Sequence, residues 1–385
     1  MGKVYVVSGR TLEVITQLND PEFQVQQGAK FGGQLGTSIA NVGDVNGDGT
    51  SDILVGVPHH AAAGEGGEEK LFNAGRAFLF NGKNGNVLLT LDDPEPDENA
   101  RLGFAVSSAG DVNSDGVPDL VVAAPFKGSP EGLAEVGIVY IFSGKNGILL
   151  REITPPSQGG AEEGGRFGTA VANAGKIDDD RVSDILIGAP GRSLAFVCSG
   201  KTGAVIFTIP SPGAEKQPSF GSAVAGGRDL NNDGTPDFAI GAPLLNDLHG
   251  VVYIFDGLNA TRLRTLRSPD GQAFASFGAS IFLSRAVSGN GRPGILVGAP
   301  EQDVKGLTNA GKVFIFRGDG SLFKSLTSAT PQAFAGFGYS LDTADFDGDG
   351  LADPVVGVPF QNVDLVARDG DVETHLQIGQ IEVKK

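Results

Sequence analysis

Short apolar runs recur along the chain, separated by turns rich in Gly, Asp and Asn. The runs come in groups of four: a short run (such as Gly168–Ala172), a more apolar run (such as Asp184–Pro190), an alternating run (such as Val251–Phe255) and a fourth run (such as Ile148–Ile153). A tight Gly-containing turn (such as Ser143–Gly147) separates the third run from the fourth. Runs of this length with Gly-rich turns between them are typical of β-strands. The pattern therefore predicts an all-β protein.

The group of four runs repeats at a period that a β-propeller blade requires. Each copy opens with Phe-Gly or Leu-Gly and closes with Pro, 23 residues later in the first five copies and 22 in the sixth. A blade of four antiparallel strands cannot bury both faces alone and packs on its neighbours. We expect residues 1–385 to form a single β-propeller domain, and the repeat cores are 35–58, 102–125, 167–190, 220–243, 277–300 and 337–359.

The number of blades depends on how the terminal strands are counted. The first two strands of a blade occur six times, whereas third strands occur seven times when Val4–Val7 and Gly379–Val383 are included. We expect six blades, the last of which joins C-terminal inner strands to N-terminal outer strands around Leu12–Leu18. One third strand then has no place. A seven-bladed ring, or an incomplete seven-bladed ring, is the alternative.

A nine-residue acidic turn, Asp-x-Asn/Asp-x-Asp-Gly-x-x-Asp, connects the first and second strands of each repeat. Ca²⁺ prefers six to eight oxygen ligands. Side chains at positions 1, 3, 5 and 9, with the carbonyl at position 7, can surround one ion, and Gly at position 6 permits the bend. The candidate ligands of the four intact copies are Asp44, Asn46, Asp48, Thr50 and Asp52; Asp111, Asn113, Asp115, Val117 and Asp119; Asp229, Asn231, Asp233, Thr235 and Asp237; and Asp345, Asp347, Asp349, Leu351 and Asp353.

Two copies of the acidic turn depart from the pattern. The third has Lys176 at position 1 and Arg181 in place of Gly, although Asp178, Asp180 and Asp184 remain. The fifth has no carboxylate at its ligand positions, which are Ala286, Ser288, Asn290 and Gly294. We predict four Ca²⁺ ions. Asp and Asn also form turns without a metal, but carboxylates crowded together in four loops of the same spacing would repel one another without a cation.

Composition narrows the range of partners and compartments. The net charge of −17 argues against binding to nucleic acid and to an anionic membrane surface. No apolar stretch is long enough to span a membrane. The lone Cys198 lies in an apolar run and is expected in the core. Calcium sites of extracellular modules bind at about 0.1–1 mM, so we expect a secreted or cell-surface protein, although no signal peptide is recognisable.

The two sets of loops differ in how much their lengths vary. Alternation of strand direction places the acidic loops and the third-to-fourth turns on one face. The second-to-third loops share the other face and vary widely in length: His59–Ala74, Phe126–Val136, Gly191–Arg192, Leu244–His249, Glu301–Ala310 and Phe360–Ile378. Loops on a rigid scaffold carry function. We expect this variable-loop face, especially His59–Ala74 and Phe360–Ile378, to bind a protein or glycan ligand, whereas length drift without function is the alternative.

Aromatic residues and one short motif add further expectations. We expect Phe167, Phe220, Phe277 and Phe337, which belong to the Phe-Gly pairs, to pack between blades. Phe274 and Phe334, each three residues before such a Phe, are expected to pack similarly. The tripeptide Arg317-Gly318-Asp319 spells an adhesive motif, but it lies where a tight third-to-fourth turn is predicted.

The succession of Phe-Gly, acidic loop and Gly-Ala-Pro, as in Phe220-Gly221, Asp229–Asp237 and Gly241-Ala242-Pro243, resembles the FG-GAP repeat of integrin α-subunit β-propellers. The resemblance covers almost the whole chain. It implies calcium in the acidic loops and adhesive or protein-binding work on the propeller surface. Propellers of that family have seven blades, so the count of six is a departure.

The resulting functional hypothesis is a calcium-stabilised, non-catalytic propeller for protein interaction or cell adhesion. A lectin-like propeller is the alternative, although the absence of Trp and the presence of only four Tyr weigh against sugar platforms. A propeller hydrolase is a third reading. The repeats leave no room for a separate catalytic domain, and neither His-Glu-x-x-His nor Gly-x-Ser-x-Gly occurs.

Overall fold

The computed structural model describes eleven stretches of the chain: residues 3–8, 14–21, 33–62, 71–156, 162–213, 219–244, 249–287, 291–345, 349–366, 372–375 and 380–383. The chain divides into two compact units, Met1–Pro210 and Ser211–Lys385. Each unit contains its own clusters of buried apolar side chains.

The first unit consists of strands and one short 3₁₀ turn, Pro190–Arg192, in the part of the chain that the structure describes. Its strands are β1 (Val4–Val7), β2 (Val14–Leu18), β3 (Ile39–Gly43), β4 (Asp52–Val57), β5 (Arg76–Phe80), β6 (Val87–Leu91), β7 (Ala105–Gly110), β8 (Asp119–Ala124), β9 (Ile138–Phe142), β10 (Leu149–Ile153), β11 (Ala170–Gly175), β12 (Asp184–Ala189), β13 (Leu194–Cys198) and β14 (Val205–Pro210).

The second unit continues the same succession of short strands. They are β15 (Ala223–Arg228), β16 (Asp237–Ala242), β17 (Val251–Phe255), β18 (Arg262–Arg267), β19 (Ser280–Ser284), β20 (Gly294–Ala299), β21 (Lys312–Arg317), β22 (Leu322–Leu326), β23 (Ser340–Ala344), β24 (Asp353–Val358), β25 (Val363–Val366), β26 (Val372–His375) and β27 (Gln380–Val383).

Within the described residues, five sheets have four strands each, in chain order and antiparallel throughout: β3–β6, β7–β10, β11–β14, β15–β18 and β19–β22. This is the arrangement of propeller blades, and it confirms the predicted all-β, four-stranded fold class. The blade number and the single-domain assignment stay predictions.

The terminal strands pair differently from the expectation. The last sheet is β23-β24-β27, with Val355 of β24 opposite Val383 of β27, so its third strand comes from the C-terminal segment and not from the N-terminal one. β1 pairs with β2 in a two-stranded sheet, with Val4 opposite Leu18, and β25 pairs with β26. β27 therefore occupies the third position of the last sheet, and the N-terminal third strand β1 pairs with β2 outside that sheet.

Burial follows the order of strands within each sheet. The second strands β8, β12, β16 and β20 are buried at every position, because side chains on both faces are covered. A fourth strand such as β14 buries only Ile209. Cys198 on β13 is fully buried as expected, and burial raises the pKa of its thiol to about 12.

The Phe-Gly aromatics pack as predicted, and the upstream pair does not. Phe167, Phe220, Phe277 and Phe337 are fully buried, and Phe277 lies 5.6 Å from Phe314 between ring centroids. Phe167 shares its cluster with side chains of two successive sheets. In contrast, Phe274 and Phe334 are 63% and 61% exposed, so the prediction that they pack in the core is wrong. Both have a φ of 61°, which points their side chains outward.

Candidate metal centre

Each of the four intact acidic loops folds around its first carboxylate. In the first loop, Asp44 Oδ1 accepts from Gly47 N at 2.8 Å and Oδ2 accepts from Gly49 N at 2.8 Å. Asp229 receives the equivalent bonds from Asn232 N at 2.6 Å and Gly234 N at 2.9 Å. The φ of Gly234 is 95°, in the left-handed region, which explains the requirement for Gly at position 6.

The second and sixth loops repeat this geometry in part. Asp111 Oδ2 accepts from Gly116 N at 2.9 Å, and Asp345 Oδ2 accepts from Gly350 N at 3.0 Å. Asp347, the predicted position-3 ligand of the sixth loop, lies outside the described residues. At position 7 the backbone N–H donates to the position-5 carboxylate over 2.8–3.0 Å, and the residues are Thr50, Val117, Thr235 and Leu351.

Asp at position 9 has a second role that sequence reasoning missed. Asp52, Asp119, Asp184 and Asp237 are fully buried at the start of their strands. One oxygen of each accepts from the loop, as in Leu230 N to Asp237 Oδ2 at 2.7 Å. The other accepts from a Gly N–H in the third-to-fourth turn of the same sheet: Gly82, Gly144, Gly200 and Gly257, over 3.1–3.2 Å. This position-9 clamp ties two loops together.

Among the described residues, three carboxylate oxygens converge in the third and in the fourth acidic loop. Asp233, Asp237 and Asp256 each offer an oxygen, and these oxygens all lie within 4.8 Å of one another. Asp256 was not predicted, because it comes from the third-to-fourth turn and not from the acidic loop. Asn231, a predicted ligand, donates through Nδ2 to Asp233 Oδ2 at 2.8 Å and to Asp256 Oδ2 at 3.3 Å, which places it at the same cluster.

The third acidic loop also brings three carboxylates together, although its sequence departs from the pattern. Asp178, Asp180 and Asp184 bring carboxylate oxygens within 4.8 Å of one another, even though Lys176 replaces the first Asp. The fifth loop is different. Val287 is buried there, and a Cβ added at Gly294 would lie 2.2 Å from Val287 Cγ2, so an apolar contact fills the place of the position-9 carboxylate. Ser288 and Asn290 of that loop lie outside the described residues.

The charges in these loops suit a hard cation. Burial raises the pKa of Asp237, and the neighbouring Asp233 raises it further. Burial also raises the pKa of Asp184 to about 6, with Asp178 adding to the effect. Hydrogen bonds from Thr235 and Asn231 lower the pKa of the exposed Asp233. A buried carboxylate beside an ionised one is unfavourable unless a cation neutralises both, and a donor set made of oxygen fits Ca²⁺.

On the face opposite the acidic loops, the second-to-third loops accept hydrogen bonds from the blade-to-blade connections. Phe334 N donates to Thr308 O in the second-to-third loop of the preceding sheet at 2.8 Å, and Gly164 N donates to Ala134 O at 2.9 Å.

The Arg317-Gly318-Asp319 tripeptide is in a tight turn as expected, where Asp319 Oδ1 accepts from Ser321 N at 2.8 Å.

The parts of the chain that match a known repeat family contain acidic loops. Three stretches match the FG-GAP repeat, residues 35–69, 103–142 and 220–255, and each contains one of the intact acidic loops. The chain is 34% identical to integrin alpha-5 of Xenopus laevis over 223 residues, which is 54% of this chain and 20% of the relative. The chain therefore contains FG-GAP repeats and is similar to an integrin alpha subunit over about half of its length.

Two further relatives support this assignment. Integrin alpha-V of Gallus gallus is 32% identical over 225 residues, covering 54% of this chain and 20% of the relative. Integrin alpha-IIb of Mus musculus is 36% identical over 173 residues, covering 44% and 16%. The integrin-alpha-like match thus spans a fifth or less of these relatives. Within the described residues, no helix has the length and apolar character needed to cross a bilayer.

Proposed function

We propose that this chain is a calcium-stabilised, non-catalytic β-propeller domain that binds a protein partner in adhesion, at the cell surface or outside the cell. The convergence of Asp233, Asp237 and Asp256 oxygens within 4.8 Å carries the proposal. The similarity to integrin alpha subunits over about half of the chain supports the adhesive context.

Calcium would act between two hairpins of one sheet. In the fourth repeat the ligands would be Asp229, Asn231, Asp233, Asp237 and the carbonyl of Thr235, with Asp256 as an additional carboxylate. The first, second and sixth loops would supply the other three of the four sites. When bound, the ion neutralises repulsion among these carboxylates. Affinities of about 0.1–1 mM, typical of extracellular modules, would keep the sites filled outside the cell.

Calorimetry tests the structural role of calcium. The melting temperature should rise between a buffer with EGTA and one with calcium, because the ion binds only the folded loops. Asp233→Asn should reduce this rise, whereas Asp319→Asn, which alters a carboxylate in a turn outside the acidic loops, should leave it intact. An unchanged melting temperature on chelation would contradict the proposal.

Counting ions tests the number of sites. Elemental analysis after dialysis against calcium should give four ions per chain if the first, second, fourth and sixth loops bind. A fifth ion that disappears in Asp180→Asn would assign the third loop as a site and would correct the count of four.

Exposed aromatic side chains support the variable-loop face as the partner-binding surface. Phe274, Phe334 and Phe360 are 63%, 61% and 45% exposed. The ring of Tyr339 lies 5.7 Å from that of Phe360 in an edge-on arrangement, and Tyr339 is itself 57% exposed. Clusters of exposed aromatics are enriched at protein interfaces and contribute most of the binding energy there.

The backbone at two of these residues strengthens the argument. Phe274 and Phe334 lie three residues before a Phe-Gly pair and have a φ of 61°. The same position is Asn99 in the second repeat and Gly164 in the third, with φ of 65° and 71°. Asn and Gly suit this left-handed conformation, whereas a bulky residue is strained there. An exposed, strained Phe contributes little to folding, so binding is the reason we infer for its presence.

Binding measurements test the partner face. Immobilised protein should capture a component from a panel of purified extracellular-matrix proteins in calcium, and a Phe274→Asn, Phe334→Asn double variant should capture less. A glycan array separates the lectin alternative. Capture that survives the double variant unchanged would contradict the assignment of this face.

A further inference from the structure

A cavity of about 250 Å³ lies in the second unit, on the face of the acidic loops. Its walls come from the fourth acidic loop at Asn231, from the turn after β21 and from the segment that leads into β20. Three arginines line it, Arg264, Arg292 and Arg317, and among the residues that the structure describes Asp319 is the one acidic residue on its wall. In a chain of net charge −17, this is a local concentration of positive charge.

Arg264 holds its position through the backbone of the next sheet. Its Nε donates to Asp319 O at 2.9 Å, which fixes the guanidinium at the wall of the cavity. Its Nη1 is buried and, among the described residues, has no hydrogen-bond partner. A buried donor without an acceptor destabilises a protein, because it has lost its hydrogen bond to water without replacing it. A ligand that accepts this hydrogen bond would remove that penalty.

The first unit contains a closely matched arginine whose donors are used. Arg151 on β10 corresponds in place to Arg264 on β18, and its Nε donates to Lys201 O in the turn of the next sheet. Its Nη1 donates to Leu150 O at 2.9 Å. Both arginines therefore make the same kind of anchoring hydrogen bond through Nε. They differ at Nη1, which has an acceptor in Arg151 and, among the described residues, none in Arg264.

The carboxylate of Asp319 is directed to its own turn. Its Oδ1 accepts from both Ser321 N at 2.8 Å and Ser321 Oγ at 2.6 Å. The guanidinium of Arg317 lies over the Phe323 ring, 4.9 Å from its centroid. Arg292 is at position 7 of the fifth acidic loop, which has no carboxylate at its ligand positions. Among the described residues that line the cavity, the basic side chains outnumber the acidic one by three to one.

We propose that this cavity binds a phosphate monoester through Arg264, Arg292 and Arg317. The planar guanidinium fork matches the spacing of phosphate oxygens and can bind them in pairs. A phosphate monoester carries a charge of about −1.5 to −2 at pH 7 and three strong acceptor oxygens, so it can accept more or stronger hydrogen bonds from the arginines of the lining than a carboxylate or a sulfate ester can. The site lies on the acidic-loop face and is separate from the proposed partner face.

Titration calorimetry with glucose 6-phosphate tests the site, because the calcium salt of this probe stays in solution. O-phosphoserine distinguishes a phosphorylated side chain from a phosphorylated sugar as the source. Glucose alone and glucose 6-sulfate are the controls. We expect glucose 6-phosphate or O-phosphoserine to bind, glucose to give no heat of binding, and glucose 6-sulfate to bind at least about tenfold more weakly because it carries a single charge.

Variants locate the binding. Arg292→Gln, at an exposed position, and Arg264→Gln should each weaken binding about tenfold or more, since each removes charge-assisted hydrogen bonds. Arg151→Gln removes the matched anchor in the other unit and should bind as the native protein does. The proposal is overturned if neither phosphate ester binds at 10 mM, about the upper end of a useful titration, if Arg292→Gln binds as tightly as the native chain, or if the sulfate ester binds equally well.

Discussion

The carboxylate of Asp184 accepts a hydrogen bond from the backbone N–H of Gly200 at 3.2 Å, and its other oxygen accepts from Ile177 N at 2.7 Å. The same clamp exists in repeats whose acidic loop is intact, where Asp119 bonds Gly144. In the third repeat it persists although Lys176 occupies the first ligand position. The clamp therefore has a structural role that does not depend on a complete metal loop.

Replacement of Asp184 should reveal this role without metal. Asp184→Ala leaves the N–H groups of Ile177, Asp178 and Gly200 without their acceptor in a buried position. We expect the free energy of unfolding to fall by about 3 kcal/mol, measured by urea denaturation in EGTA. Asp179→Ala, at an exposed neighbour, should change it by less than about 0.5 kcal/mol. Equal effects of the two variants would refute the clamp.

The strained aromatics predict a trade-off between stability and binding. Phe274→Asn with Phe334→Asn should raise the free energy of unfolding, by about 1 kcal/mol per site, because Asn tolerates the left-handed backbone and little buried area is lost. The same double variant should lose partner binding. Stability is measured by urea denaturation and binding by biolayer interferometry with a captured matrix protein.

A reverse substitution provides the control for that trade-off. Asn99→Phe places the bulky residue at the equivalent position of the second repeat, where φ is 65°. It should destabilise the protein by a similar amount and should not restore binding to the double variant. A double variant that is less stable than the native chain would contradict the claim of strain.

Lys127 and Asp93 form a buried ion pair beside Tyr140. Lys127 Nζ lies 2.8 and 2.9 Å from the two oxygens of Asp93, whose side chain is 1% exposed, and Tyr140 OH donates to Asp93 at 2.9 Å. Lys127→Met leaves a buried carboxylate without its cation. Since removal of one partner of a buried pair costs about 3–5 kcal/mol, we expect a large drop in melting temperature by calorimetry.

The half-exposed pair of Lys312 and Asp270 is the matched control. Their charged atoms are 2.7 Å apart, with side chains 19% and 36% exposed. Lys312→Met should reduce stability by less than about 1 kcal/mol, because solvent screens such pairs. A Lys127→Met variant as stable as Lys312→Met would show that Asp93 does not depend on its cation.

Gly311 is required by a close approach of two backbones. It pairs with Phe337 in a parallel bridge, and a Cβ at Gly311 would lie 2.2 Å from Phe337 O. Gly306, in the same loop, also has a positive φ but nothing within 4 Å of its Cβ position. Gly306→Ala should cost about 1 kcal/mol from strain alone. Gly311→Ala should cost about 3 kcal/mol or more in urea denaturation, because the backbones must separate.

Much of the fold and part of the candidate site could be predicted from local sequence. The strand β16 begins at Asp237 and ends before Pro243, as the apolar run indicated, and Gly234 adopts the positive φ that position 6 was expected to need. Such features depend on neighbouring residues and on the preference of Gly for left-handed backbone. The Phe-Gly aromatics were placed correctly in the core, because that position is apolar in all six repeats, whereas a Phe three residues earlier occurs in only two of them.

The sequence by itself therefore determined the repeat, the strands within it and the loops that concentrate carboxylates. Only the tertiary structure decided which distant groups meet. Asp256 joins Asp233 and Asp237 from another turn, β27 pairs with β24, and the backbone of Phe274 turns its ring to solvent. The physical reason is that strand pairing and loop convergence depend on packing between segments far apart in the chain, and local composition does not encode that packing.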